Sequence, residues 1–149
     1  MNMKTRILIV DDEEEFVKAL SERLTIRDYD VTTSLSGEDA VEKVKHYLFD
    51  VVILDVAMPG MSGIETLREI KKIKPLIEVI MLTGHATVET AIEGLKLGAL
   101  DFLLKPCETE DLVVKINKAY DKKAEHDERI RAAKVAEIVA SPRSVLNEN

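Results

Sequence analysis

Four short, uninterrupted apolar runs punctuate the chain: Ile7-Leu8-Ile9-Val10, Val51-Val52-Ile53-Leu54, Val79-Ile80-Met81-Leu82 and Phe102-Leu103-Leu104. A strand with one wet face alternates apolar and polar residues, whereas a strand covered on both faces does not, so these runs predict strands inside a parallel sheet. A weaker run from Tyr29 to Thr33 completes a set of five. Between the runs, apolar residues recur at helical spacing. The first such segment carries Phe16, Leu20 and Leu24. The second carries Ala40, Val41 and Val44 behind Ser36, whose spacing to Asp39 is a capping-box pattern. The third, Ile64, Leu67, Ile70 and Ile73, is stopped by Pro75, and the fourth, Val88, Ala91, Ile92 and Leu95, precedes Gly98, a helix-ending residue. Leu112, Val113, Ile116, Ala119 and Tyr120 mark the fifth. Strand and helix alternating five times predict an α/β fold: a parallel five-stranded sheet with right-handed crossovers and helices on both faces.

Composition adds bounds. With 149 residues, 46% hydrophobic and 33% charged, there is room for one ordinary globular domain. No apolar run approaches the roughly 18 residues of a membrane span, and the first residues lack a signal-peptide pattern. A single cysteine, Cys107, excludes an internal disulfide framework and a multi-cysteine metal site, so the cytoplasm is the expected location. The formal charge is −7, and residues 121–149 carry six acids and six bases, which places the deficit in residues 1–120. An acidic domain without a basic stripe argues against direct nucleic-acid binding and suits a cation or a basic partner.

In parallel α/β sheets functional groups gather at the carboxyl ends of the strands. Here those ends carry Asp11-Asp12, Asp55, Thr83 and Lys105, while the second strand ends in Ser34 with no evident role. Any one of these residues alone could cap a turn or a helix, and Glu13-Glu14-Glu15 need only the helix macrodipole as explanation. Together they put three carboxylates, a hydroxyl and an ammonium on one rim. Clustered carboxylates repel unless a cation intervenes, and an oxygen-only ligand set selects a hard ion such as Mg²⁺. One carboxylate can then attack phosphorus, with Lys105 and Thr83 facing the transferring phosphoryl oxygens. The pattern is that of an acyl-phosphate site.

Four stretches carry a family resemblance over residues 4 to about 122. They are Ile7-Leu-Ile-Val-Asp-Asp-Glu13, Ile53-Leu-Asp-Val-Ala-Met-Pro-Gly-Met-Ser-Gly63, Met81-Leu-Thr-Gly-His-Ala86 and Gly98-Ala-Leu-Asp-Phe-Leu-Leu-Lys-Pro106. In this order and spacing the chain resembles the receiver domain of bacterial two-component response regulators. The wording of the last two stretches is most similar to receivers attached to ATPase activators of the alternative sigma factor. The resemblance implies a flavodoxin-like sheet of order 2-1-3-4-5 and a Mg²⁺-dependent transfer from a sensor histidine kinase or phosphotransfer protein. It implies Asp55 as the phosphoacceptor, and Asp11, Asp12, Asp55 and the Ala57 carbonyl as metal ligands. Thr83 and Lys105 then respond to the phosphoryl group, Thr83 and Phe102 form the switch, and the Lys105–Pro106 peptide is cis. Such a domain catalyses only its own phosphorylation and dephosphorylation. Two other classes remain open on the residues alone. A phospho-aspartate phosphatase wants an acid two residues after its nucleophile, where Ala57 stands, and a flavin module is disfavoured by the absent tryptophan and the acid cluster.

Two features depart from the family pattern. Ala57 stands where many receivers carry a polar side chain, and Gly84-His85 follow Thr83, so His85 is the expected local influence on phospho-aspartate hydrolysis. The tail is the other open question. Residues 1–122 form the expected receiver and 123–149 a charged, then apolar, helical extension. Glu125–Arg129 and Asp127–Arg131 have favourable i,i+4 order, and eight of the eleven residues from Ile130 to Ala140 are apolar. A helix continuing well past Tyr120 and mediating a homodimer or partner docking is the expectation.

Overall fold

A computed structural model describes residues 3–84 and 88–140, so the expectation placed on His85 and the last nine residues of the extension lie outside it. The elements run β1 (Arg6–Val10), α1 (Glu14–Ile26), β2 (Asp30–Ser34), α2 (Gly37–His46), β3 (Val51–Leu54), α3 (Gly63–Ile73), β4 (Glu78–Thr83), α4 (Val88–Lys96), β5 (Asp101–Leu104) and α5 (Thr109–Ala140). All four strand pairings are parallel, in the order β2-β1-β3-β4-β5.

The period of two along each strand splits the core into two layers. Ile7, Ile9, Val51, Ile53, Ile80 and Leu82 pack with Val17, Leu20 and Leu24 of α1 and Leu112, Ile116 and Ala119 of α5. Their neighbours Leu8, Val10, Val52, Leu54, Val79 and Met81 point the other way, onto Ala40 and Val44 of α2 and Leu67 and Ile70 of α3. Both faces are dry, which is why β1, β3 and β4 read as unbroken apolar runs.

The outer strands behave differently. β5 has one neighbour, its residues are only half-buried, and Leu104 is 56% exposed, so its apolar run does not mark a strand covered on both faces. The stripe expected on α4 also fails to bury: Val88, Ile92 and Leu95 are exposed and Gly94 alone is buried. The cause is the manner of approach. A Cβ at Gly94 would lie 2.5 Å from Met81 Sδ, so the helix sits down on its glycine and its larger apolar residues are splayed outward.

The cap expected at Ser36 forms, and Ser62 caps α3 in the same way. Ser36 Oγ accepts from the Asp39 N–H at 3.1 Å, and Ser62 Oγ accepts from Glu65 N–H at 3.2 Å. The last helix is long, 32 residues or about 48 Å at 1.5 Å per residue. Its first part docks through Leu112, Ile116 and Ala119, and beyond them Ile130, Val135, Ile138 and Val139 are exposed. Glu125 pairs with Arg129, but Asp127 turns back to Lys123 at 2.9 Å and Arg131 takes Glu128 at 3.4 Å instead of Asp127. Lys123 also faces buried Asp50 at 3.8 Å, which draws it, and Asp127 with it, toward the sheet. No helix among the described residues is long and apolar enough to cross a membrane.

Candidate functional site

The order reverses between β1 and β3: the chain leaves β1 toward β2 on one side and returns to β3 on the other. Parallel register pairs Val10 with Leu54, so the next residues, Asp11 and Asp55, emerge side by side at this switch point. The backbone holds them there: Asp55 N–H donates to Val10 O at 2.9 Å and Asp11 N–H to Ser34 O at 3.1 Å. Ser34, without a role in the sequence reading, thus fixes Asp11 from the edge strand. Across β4 and β5, Thr83 pairs with Leu104, and Lys105 N–H donates to Thr83 O at 3.0 Å, which brings the last two polar groups to the same edge.

The carboxylates converge. One oxygen from each of Asp11, Asp12 and Asp55 can be chosen so that all lie within 4.8 Å of one another. Asp11 is 1% exposed and Asp55 3%, whereas Asp12 is open to solvent. Each Asp11 oxygen has one partner: Oδ1 accepts from the Glu13 N–H at 3.0 Å and Oδ2 from Lys105 Nζ at 2.6 Å, which leaves acceptor capacity on both. Asp55 Oδ1, by contrast, is buried without a hydrogen-bond partner among the described residues. A buried carboxylate oxygen left unpaired is costly unless something else is meant to sit against it.

Lys105 closes the rim. Its Nζ reaches Glu13 Oε1 at 3.3 Å and lies 4.0 Å from the centroid of the Phe16 ring. Burial alone would lower its pKa, but the hydrogen bond to Asp11 and the charges of Asp11 and Asp55 outweigh burial and raise it. Burial likewise pushes the Asp11 carboxyl up despite the bond from Lys105. Glu13 and Phe16 were not singled out by sequence: the first reads as a macrodipole acid, the second as one position of the α1 stripe. Three acids therefore act on Lys105: Asp11 and Glu13 by direct contact and Asp55 through its charge.

Thr83 is fully buried at the end of β4. Phe102 stands opposite Met81 in the register and packs, half-buried, against the α2–α3 side of the core. Ala57 is exposed in the loop between β3 and α3, and the Lys105–Pro106 peptide is cis. Cys107 follows; burial and then the nearby Asp111 and Glu108 push its thiol up, consistent with an unreactive residue.

A parallel α/β sheet with an acid cluster at its switch point and a lysine beside it defines a class of acidic, oxygen-ligand sites for phosphoryl chemistry. Comparison with known proteins narrows this. The response regulator receiver domain model matches residues 7–117. The transcriptional regulatory protein ZraR of Escherichia coli (strain K12) is 43% identical over 113 residues, covering 76% of this chain and 26% of the relative. A response regulator receiver domain protein from Clostridium thermocellum is 38% identical with a TM-score of 0.76, covering 80% of this chain and 97% of that one. The beryllofluoride-activated NtrC4 receiver domain dimer is 37% identical with a TM-score of 0.75, covering 79% and 98%. The chain belongs to the response regulator receiver domain family, whose function in two-component signalling is to accept a phosphoryl group. It spans about a quarter of the length of ZraR, the curated relative described above.

Proposed function

We propose that Asp55 is the phosphoacceptor of this receiver domain, and that Asp11, Asp12, Asp55 and the Ala57 backbone carbonyl hold Mg²⁺. The observation that carries this reading is the buried Oδ1 of Asp55, unpaired among the described residues, within a cluster where the Lys105 ammonium is bonded to Asp11. All-oxygen donors on converging carboxylates fit a hard cation. When bound, Mg²⁺ supplies positive charge against the phosphoryl oxygens during transfer.

The residues of the chain divide the rest of the work. The Asp55 carboxylate attacks phosphorus; an O–P bond forms as the bond from phosphorus to the donor nitrogen or oxygen breaks, leaving an acyl phosphate on Asp55. Thr83 donates its hydroxyl to a phosphoryl oxygen. Lys105 turns from Asp11 toward the new negative charge, which its raised pKa keeps it able to meet. Movement of Thr83 opens the packing that holds Phe102, and the exposed residues of α4, Leu104 and α5 report the change. With no phenolic hydroxyl, Phe102 responds by packing alone. The donor is a sensor histidine kinase or phosphotransfer protein in the cytoplasm, and the chain catalyses no reaction beyond gain and loss of its own phosphoryl group.

Metal removal and substitution separate a site from a diffuse charge effect. Asp12→Ala should lower Mg²⁺ affinity by about a hundredfold, at the upper end of what loss even of an outer partner costs a metal. Glu14→Ala, on the exposed first turn of α1, should change it by no more than about twofold because solvent and salt screen it. Titration calorimetry decides, and equal losses in the two variants would refute the assignment.

Residues 1–122 act as the receiver and the extension from 123 as a surface for a second copy. The exposed Ile130, Val135 and Ile138 support this, being apolar residues on a helix that has left the domain. Replacing all three by serine should convert dimer to monomer in light scattering and leave phosphorylation unchanged. A triple variant with wild-type mass would contradict it.

A further inference from the structure

The loop that carries Ala57 is tied down from outside by one residue of α2. Glu38 Oε1 accepts from the Met61 N–H at 2.8 Å, across 23 residues of sequence. Next to Met61, Gly60 has φ +74°, and a Cβ there would lie 3.0 Å from the same Glu38 oxygen. Gly60 thus supplies both the left-handed turn and the room for the carboxylate.

The approach of α2 is itself built. A Cβ on Gly37 would lie 2.1 Å from Thr66 Oγ1 and 3.1 Å from Met61 O, so the missing side chain lets the start of α2 come up against the loop and the start of α3. Thr66 Oγ1 in turn donates to Ser62 O at 2.7 Å, and Gly63 N–H donates to Val56 O at 2.9 Å, closing the loop at its α3 end. Between these ties run Ala57, Met58, Pro59 and Gly60, of which Met58 alone is buried. Hydrogen bonds from its own backbone N–H and from Met61 hold the Glu38 carboxyl below the ordinary range, in keeping with an acceptor engaged as carboxylate.

We infer that Glu38 is a positioning residue for the metal site: it touches neither metal nor phosphoryl group, but holds the loop of residues 56–61 so that the Ala57 carbonyl faces the acid cluster. The inference rests on the assignment of that carbonyl to Mg²⁺. A backbone ligand has no rotamer of its own, so its direction is set by whatever fixes the loop. That tether comes from α2, an element that supplies no ligand.

Glu38→Ala should weaken directly measured Mg²⁺ binding about tenfold, the lower end of the range for lost outer support of a metal site. The Mg²⁺ concentration for half-maximal phosphorylation by acetyl phosphate should rise by the same factor, with the rate at saturating Mg²⁺ unchanged. In metal-free protein the Met61 amide should exchange faster. Glu38→Gln retains an acceptor oxygen and should restore wild-type affinity and exchange, which loss of a long-range negative charge would not allow. Asp39→Ala, one residue on and turned to Lys43 at 2.9 Å, should match wild type. Wild-type Mg²⁺ affinity in Glu38→Ala, or a Gln variant as weak as the Ala variant, would overturn the inference. Unaltered Mg²⁺ binding in Asp12→Ala would instead bring down the site assignment on which it rests.

Discussion

Asp55→Asn should take up no phosphoryl group from acetyl phosphate and Mg²⁺, a loss to background rather than a partial decrease. The amide has the shape of the carboxylate and fits the same 3% exposed position, so packing is preserved. What disappears is the nucleophile, since an amide oxygen does not form a stable acyl phosphate. The same change relieves repulsion within the cluster of Asp11, Asp12 and Asp55, so the variant should be at least as resistant to urea as wild type. Inactivity and undiminished stability together identify a lost reacting group. Labelling at the wild-type level in the Asn variant would move the acceptor elsewhere.

Gly63→Ala should be strongly damaging for a single added methyl. Its Cβ would lie 2.1 Å from Asp55 O and 2.5 Å from Val56 Cα, both backbone atoms of the site itself. Neither can yield without moving Asp55 or the first turn of α3, where Gly63 N–H already donates to Val56 O. A loss of about 3 kcal/mol is expected, the upper part of the range for overpacking, together with weaker Mg²⁺ binding. Gly94→Ala is the natural comparison. Its Cβ would lie 2.5 Å from Met81 Sδ, the flexible end of a thioether side chain, and alanine gains about 1 kcal/mol in helix propensity over glycine. The two variants should therefore differ widely in urea midpoint, with Gly94→Ala within about 1 kcal/mol of wild type. Equal midpoints would show that the close approach of Gly63 to Asp55 does not constrain the site.

What could be read from the chain was whatever local pattern encodes. β1, β3 and β4 are covered on both faces and announce it by unbroken apolar runs, and the alternation of strands and helices dictates the α/β class. The polar residues at the strand ends were legible for the same reason: once the sheet is parallel, its carboxyl edge is a fixed place. Features set by distant neighbours were not legible. Leu104 is as apolar as Leu54, yet one lies on an edge strand and the other in the middle of the sheet. The stripe of α4 looks like a buried face, and only the contact between Gly94 and Met81 shows why it is turned outward. Glu13 and Phe16 meet Lys105 across about ninety residues, and Glu38 meets Met61 across 23. Each has a sufficient local explanation in sequence, as a helix-start acid or one apolar position, which masks its long-range contact.

On the proposed assignment, the phosphoryl group should sit on Asp55 under control of a divalent cation at the Asp11, Asp12 and Asp55 cluster. The most direct measurement is intact-mass analysis of the wild-type chain after incubation with acetyl phosphate, with and without Mg²⁺, followed by borohydride trapping and peptide mapping. One phosphoryl group should be added, dependent on Mg²⁺, with the trapped product at Asp55. A phosphoryl group mapped to any other residue, or equal incorporation without the metal, would contradict it.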